Sequence, residues 1–162
     1  MLRKLMLVPI VGVIALLLLA GPASAAPKVP KGASFEIPAG AGQLCAFPVK
    51  LAIISGQVQR TTLPDGTTIV TGPAVVTITN ETNETNKPST TLNISGPTFT
   101  SAGGDDVILP GAAIILLFAG VSSNPPGPQI LATHGRATIE DGLFNIDTFT
   151  GTSQNVCEQL AE

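Results

Sequence analysis

The chain has 162 residues, 11 acidic against 8 basic side chains for a formal charge of −3, a single histidine, and neither Trp nor Tyr. That length suits one domain with a real core and is short for two. The acidic balance disfavours a nucleic-acid backbone as partner, and the missing Trp and Tyr remove the usual platforms for stacking a sugar ring.

The first element is a leader. Met1-Leu2-Arg3-Lys4 is basic, Leu5 to Ala20 is apolar, and Gly21-Pro22-Ala23-Ser24-Ala25 ends in small residues. These are the three parts of a secretory signal peptide, so residues 1–25 are expected to be cleaved. Loss of Arg3 and Lys4 takes the formal charge from −3 to −5. A retained anchor is the competing reading, but a span needs about 20 apolar residues, and Pro9 and Gly12 interrupt this run. The expectation is a secreted, extracellular protein with no membrane span in its mature form.

Residues 26–42 are rich in Pro, Gly and Ala, with an apolar island at Phe35 and Ile37, and read as a tether whose island docks on the domain. From Leu44 the texture changes, and residues 43–162 read as a single β domain. Cys45, Phe47, Val49, Leu51 and Ile53 alternate with other residues at period two, which predicts a strand with one core-facing side. Pro48 lacks an amide to donate and suggests an edge position. Turn chemistry then recurs, as in Leu63-Pro64-Asp65-Gly66, Thr71-Gly72-Pro73, Ser95-Gly96-Pro97, Gly103-Gly104-Asp105, Pro110-Gly111 and Glu140-Asp141-Gly142. Between these lie Thr-, Val- and Ile-rich runs such as Thr67 to Thr71, Ala74 to Thr79, Thr90 to Ile94 and Gln129 to Ile139. Regular short strands at this spacing argue an all-β fold, with one helical turn possible after Cys157.

Cys45 and Cys157 bracket this region. In an exported chain without C-x-x-C spacing or a histidine cluster, they read as a disulfide. A disulfide requires Cα atoms within about 7 Å, whereas an open meander would hold its first and last strands several spacings of about 4.8 Å apart. The expectation is an antiparallel meander of about eight to ten strands, closed as a barrel whose first and last strands are bridged. A β-sandwich is the alternative.

The segments Cys45-Ala46-Phe47-Pro48-Val49, Leu63-Pro64-Asp65-Gly66, Thr68 to Pro73, Leu92-Asn93-Ile94-Ser95-Gly96, Leu116-Leu117-Phe118, Gly135-Arg136 and Val156-Cys157 carry a resemblance over the whole mature domain. Together they resemble a group of small, uncharacterised secreted proteins of actinobacteria. The resemblance implies export and a single β domain, and supplies no activity.

Candidate functional residues are sparse. His134, the lone histidine, cannot build a multi-histidine metal site but could act as a base. Alternation with Leu131, Thr133, Ala137 and Ile139 places it and Arg136 outward. Asp105 and Asp106 lack the spaced ladder of a calcium loop and read as a hairpin turn. The run Asn80 to Asn86 and Asn93-Ile94-Ser95 contain glycosylation-type triplets; the former reads as a mobile polar loop. No Gly-x-Ser-x-Gly elbow occurs, so no catalytic, cofactor or metal residues are assigned. In the run Ala112 to Ala119, Ile114, Leu116 and Phe118 face one side, and Ile115 and Leu117 the other. An outward apolar face needs cover from the Phe35 and Ile37 island, from the C-terminal tail, or from another molecule, so Ile115 and Leu117 are candidate interface residues for a homodimer or partner. The functional expectation is an exported non-catalytic protein that binds a small apolar ligand inside its barrel or a protein partner. The alternative is a structural protein of the cell envelope with a solid core.

Overall fold

A computed structural model describes residues 33–39, 43–120, 122–124 and 127–161. The expected signal peptide and most of the 26–42 segment lie outside the described residues. The strands are β1 (Ser34–Ile37), β2 (Val49–Gly56), β3 (Gln59–Thr62), β4 (Thr68–Thr71), β5 (Ala74–Asn80), β6 (Ser89–Asn93), β7 (Thr98–Thr100), β8 (Val107–Leu117), β9 (Ser122–Asn124), β10 (Gln129–Glu140), β11 (Leu143–Asn145) and β12 (Thr150–Asn155). A short helix, α1 (Val156–Leu160), follows. It is capped by Asn155, whose side chain accepts from the Cys157 amide.

Strands β1-β2-β5-β6 form one sheet, and β3-β4-β7-β8-β10-β11-β9 form the other, with β12 added alongside β10. From β1 to β8 the pairing is nevertheless that of an antiparallel meander, while β9 pairs β11 in parallel. One register carries the hairpin from Val49↔Asn80 through to Thr62↔Thr68, interrupted by a bulge at Ile54. It closes on the Leu63 to Thr67 turn, where the Leu63 amide donates to Thr67 O and Gly66 has φ +87°. A second shared register joins β5 to β6 and β4 to β7. Thus β2–β3, β4–β5 and β6–β7 are three continuous runs, each crossing from one sheet to the other, and counted this way the twelve strands among the described residues become nine.

A row of glycines marks the crossing. Val70↔Thr98 on one side and Val75↔Asn93 on the other place Gly72 opposite Gly96. The Cα of Gly96 lies 3.3 Å from where a Gly111 Cβ would stand. Gly111 pairs with Gly135, and Gly135 with Gly151. A Cβ on Gly135 would fall 1.9 Å from Thr150 O, and one on Gly151 would fall 2.0 Å from His134 O. Both have φ near +140° (143° and 138°), which only glycine adopts without strain. Along this crease the backbones approach one another directly and the sheet can bend sharply. Gly72-Pro73, Gly96-Pro97 and Pro110-Gly111, read in the sequence as hairpin turns, are therefore bends within runs whose ladders continue on both sides.

The crease also explains why the fold is a two-sheet arrangement and not the closed barrel expected. The meander folds back on itself, so its early strands lie over its late ones without hydrogen-bonding to them. Between the layers, Val49, Leu51, Ile53, Val76 and Ile78 meet Leu116 and Ile130, with Leu44, Val156 and Leu160 filling the open side. Cys45 and Cys157 are bonded, with Cα atoms 5.5 Å apart, and join the loop before β2 to α1. The inference from disulfide to neighbouring strands fails because α1 and residues 43–47 reach across the gap between layers. Pro48 lies just ahead of β2, which is an interior strand between β1 and β5. The island at Phe35 and Ile37 forms the edge strand β1.

The β8–β10 hairpin is buried on both faces. Its second face, with Val107, Leu109, Leu131, Ala137 and Ile139, forms a separate core with Phe144. Ile115 and Leu117, placed by alternation on an outward face, are 4% and 1% exposed within this core. Their cover is Phe144, with Ile146 and Phe149 packed alongside, from the chain immediately after β10. In this conformation neither residue offers surface to a second molecule. Strands buried on both faces read as unbroken apolar runs, which accounts for Ala112 to Ala119.

Candidate functional site

Before the crease β8 lies between β7 and β10, and beyond it β6 parts from β8, which keeps only its β10 partner. The gap becomes a cleft of about 590 Å³ between the β6 edge and the surface of β10 and β12. That volume falls within the range of about 300 to 1,000 Å³ usual for ligand sites. Thr91 and Asn93 line one side, and Thr152, Ser153 and Gln154 the other, with His134 between. Ala113, Ala132 and Thr133 complete the lining together with Leu92 and Ile94.

Local chemistry fixes these groups. The Thr91 hydroxyl bonds that of Thr77 at 3.1 Å, steadying the β5–β6 pair. Asn93 Oδ1 accepts from the Ser95 amide at 3.1 Å and from the Ser95 hydroxyl, an Asx turn that ends β6 at the crease. Thr133 is buried and donates to Ala113 O at 3.3 Å. Strand β12 carries no hydrophobic residue and is exposed along most of its length. It presents hydroxyls and amides on both faces.

His134 is exposed, as the alternation predicts, and stands directly opposite Thr152 in the β10–β12 register. An imidazole beside a hydroxyl is two-thirds of a nucleophilic triad, but the third member is a group that orients the imidazole. No carboxylate lines this cleft among the described residues. The arrangement offers neutral hydrogen-bond donors and acceptors around a shallow apolar floor.

The remaining sequence candidates fall elsewhere. Asp105 and Asp106 occupy the turn between β7 and β8, where Asp106 Oδ1 accepts from the Asp141 amide and Asp105 O from the Gly142 amide. They join two turns. Among the described residues, no group of three or more His, Cys, Asp or Glu is arranged to hold a metal ion. Asn80 is buried, and its Nδ2 donates to Leu160 O at 2.9 Å. It anchors α1, while its Oδ1 accepts from the Thr82 amide, and Asn83 repeats that turn with Thr85. The 80–88 loop thus contains two Asx turns, at Asn80 and Asn83, the first of them tied to α1. Among the described residues, no helix is long and apolar enough to cross a membrane.

The sequence reading singled out His134 but not Thr91, Thr152, Ser153 or Gln154. A usable signal was the composition of 150–155, a β-run without a hydrophobe in a chain that is 44% hydrophobic. Comparison of the chain with protein-family models, with curated proteins and with solved structures finds no match.

Proposed function

We propose that this is an exported, non-catalytic binding protein whose ligand occupies the cleft between β6 and the β10–β12 surface. The observation that carries this reading is the lining itself: one exposed imidazole, neutral hydroxyls and amides, and no carboxylate to complete an acid–base pair. Export rests on the leader and on the Cys45–Cys157 disulfide, which belongs to an oxidising compartment. The expectation of a small apolar ligand within a barrel is replaced, because the space between the sheets is filled by Leu116, Ile130 and their neighbours. The ligand called for by the lining is polar and uncharged.

A structural role in the cell envelope is the second reading, favoured by the two filled cores. Backbone amide spectra of the oxidised domain, titrated with neutral oligosaccharides, neutral peptides and fatty acids, separate the two. Shifts concentrated at Thr91, His134 and Gln154, and abolished by Gln154→Ala, are expected for a binding protein. Spectra unmoved by every class would leave the structural role in possession.

A further inference from the structure

We propose that the β6 edge accepts an extended, uncharged polypeptide segment as an added strand. This rests on the cleft being a binding site, and names the class of ligand.

The hydrogen-bond pattern of β5 and β6 carries the argument. Ile94 N donates to Ala74 O at 2.9 Å, and Asn80 N donates to Pro88 O at 2.9 Å. In an antiparallel ladder, bonded and non-bonded pairs alternate. With the register Val76↔Leu92 and Ile78↔Thr90, those residues also face β5. The intervening Thr91 and Asn93 therefore aim their main-chain N–H and C=O groups away from β5, toward the free edge. Both residues line the cleft, and among the described residues β6 pairs with β5 alone. An exposed row of this kind is a template for strand addition.

Strands β1 and β3 also stand at sheet edges, but none of their residues lines this cleft. The crease keeps the β6–β7 run beside β8 as far as Gly96, and only beyond it is the β6 edge released. On the face under that edge stands Ala132, a small side chain on a surface otherwise carrying Ile114, Leu116 and Ile130, whereas the Ala113 side chain turns to the second core. The size of Ala132 leaves depth for the alternate side chains of an incoming strand, which point at the floor every second residue. Thr152, Ser153 and Gln154 form the opposite wall and can meet its polar groups. No Asp, Glu, Lys or Arg is among the lining residues, so charged side chains would enter without a partner. The lining also lacks aromatic rings, so it has no stacking platform for a pyranose.

The test uses the oxidised domain and a pool of acetylated, amidated hexapeptides built from Ala, Ser, Thr, Val, Asn and Gln. The pool should shift and slow exchange at the Thr91 and Asn93 amides. The same pool N-methylated at every amide should bind at least about tenfold more weakly, the loss expected for one or two main-chain bonds. Thr91→Pro removes one edge N–H and the hydroxyl contact with Thr77 but leaves the main-chain bonds to β5 in place, and should weaken the peptide to the same degree while keeping the disulfide and the β spectrum. Should Thr91→Pro fail to fold, the N-methylated pool still decides. Undiminished binding of the N-methylated pool, or no response at Thr91 and Asn93, would overturn the proposal. Cleft shifts caused by maltohexaose alone would overturn the peptide class and leave the cleft a binding site, whereas silence toward both would remove the binding reading as well.

Discussion

The two faces of the β8–β10 hairpin are closed in different ways. One is covered by a sheet built from the first half of the domain, with Val156 and Leu160 of α1 at its open side and the Cys45–Cys157 bond across it. The other is covered by the residues that follow β10, with Phe144 fully buried among aliphatic side chains. The first cover is non-local, and ordering it means closing a long loop, which costs conformational entropy. The second is local and needs only a short return of the chain. A covalent link is placed where loop closure is expensive, and an aromatic side chain where it is cheap.

The largest disturbance should come from the crease that both faces share. Gly135→Ala would place a methyl against Thr150 O and force a positive φ on alanine, a backbone collision that side-chain movement cannot relieve. The expected outcome is loss of the folded domain, read as absence of a cooperative thermal transition; a soluble variant with a near-native midpoint would refute the crease. Next is the disulfide. Replacing Cys45 and Cys157 by Ser should lower unfolding free energy by at most about 5 kcal/mol, the loop-entropy figure for a closure of this length. Amide exchange should quicken in α1 and residues 43–47 and leave Phe144 protected. Phe144→Ala should cost about 3 kcal/mol by leaving a cavity, and the pattern should reverse, with exchange rising around Ile115 and Leu117. If both variants loosen both faces equally, the two cores are one cooperative unit. The smallest effect is expected from Asn80→Leu, about 2 kcal/mol for leaving Leu160 O without its buried donor, with only α1 and the 80–88 loop affected.

Much of this could be read from local patterns. The Leu63 to Gly66 turn and the Gln129 to Ile139 run correspond to observed elements, and the period-two run expected from Cys45 does so from Val49 on, with residues 43–47 forming a loop instead, because side-chain alternation and turn chemistry act within a few residues. The crease was not legible. Gly72-Pro73 and Ser95-Gly96-Pro97 carry the same local signal whether the chain reverses or merely bends, and the difference lies in whether a distant ladder continues across them. The cleft was illegible for the same reason, since it exists only where β6 leaves β8. His134 could be placed outward by alternation, but nothing nearby in sequence announced Thr152 as its neighbour.

The Cys45–Cys157 bond encloses every loop between β2 and α1. A protease that cuts once anywhere in that interval leaves two pieces that are still a single molecule, held together at the ends and zipped along paired strands. Such a break can be tolerated, since the pieces cannot diffuse apart. The bond thus keeps a chain that has been cut once from being divided.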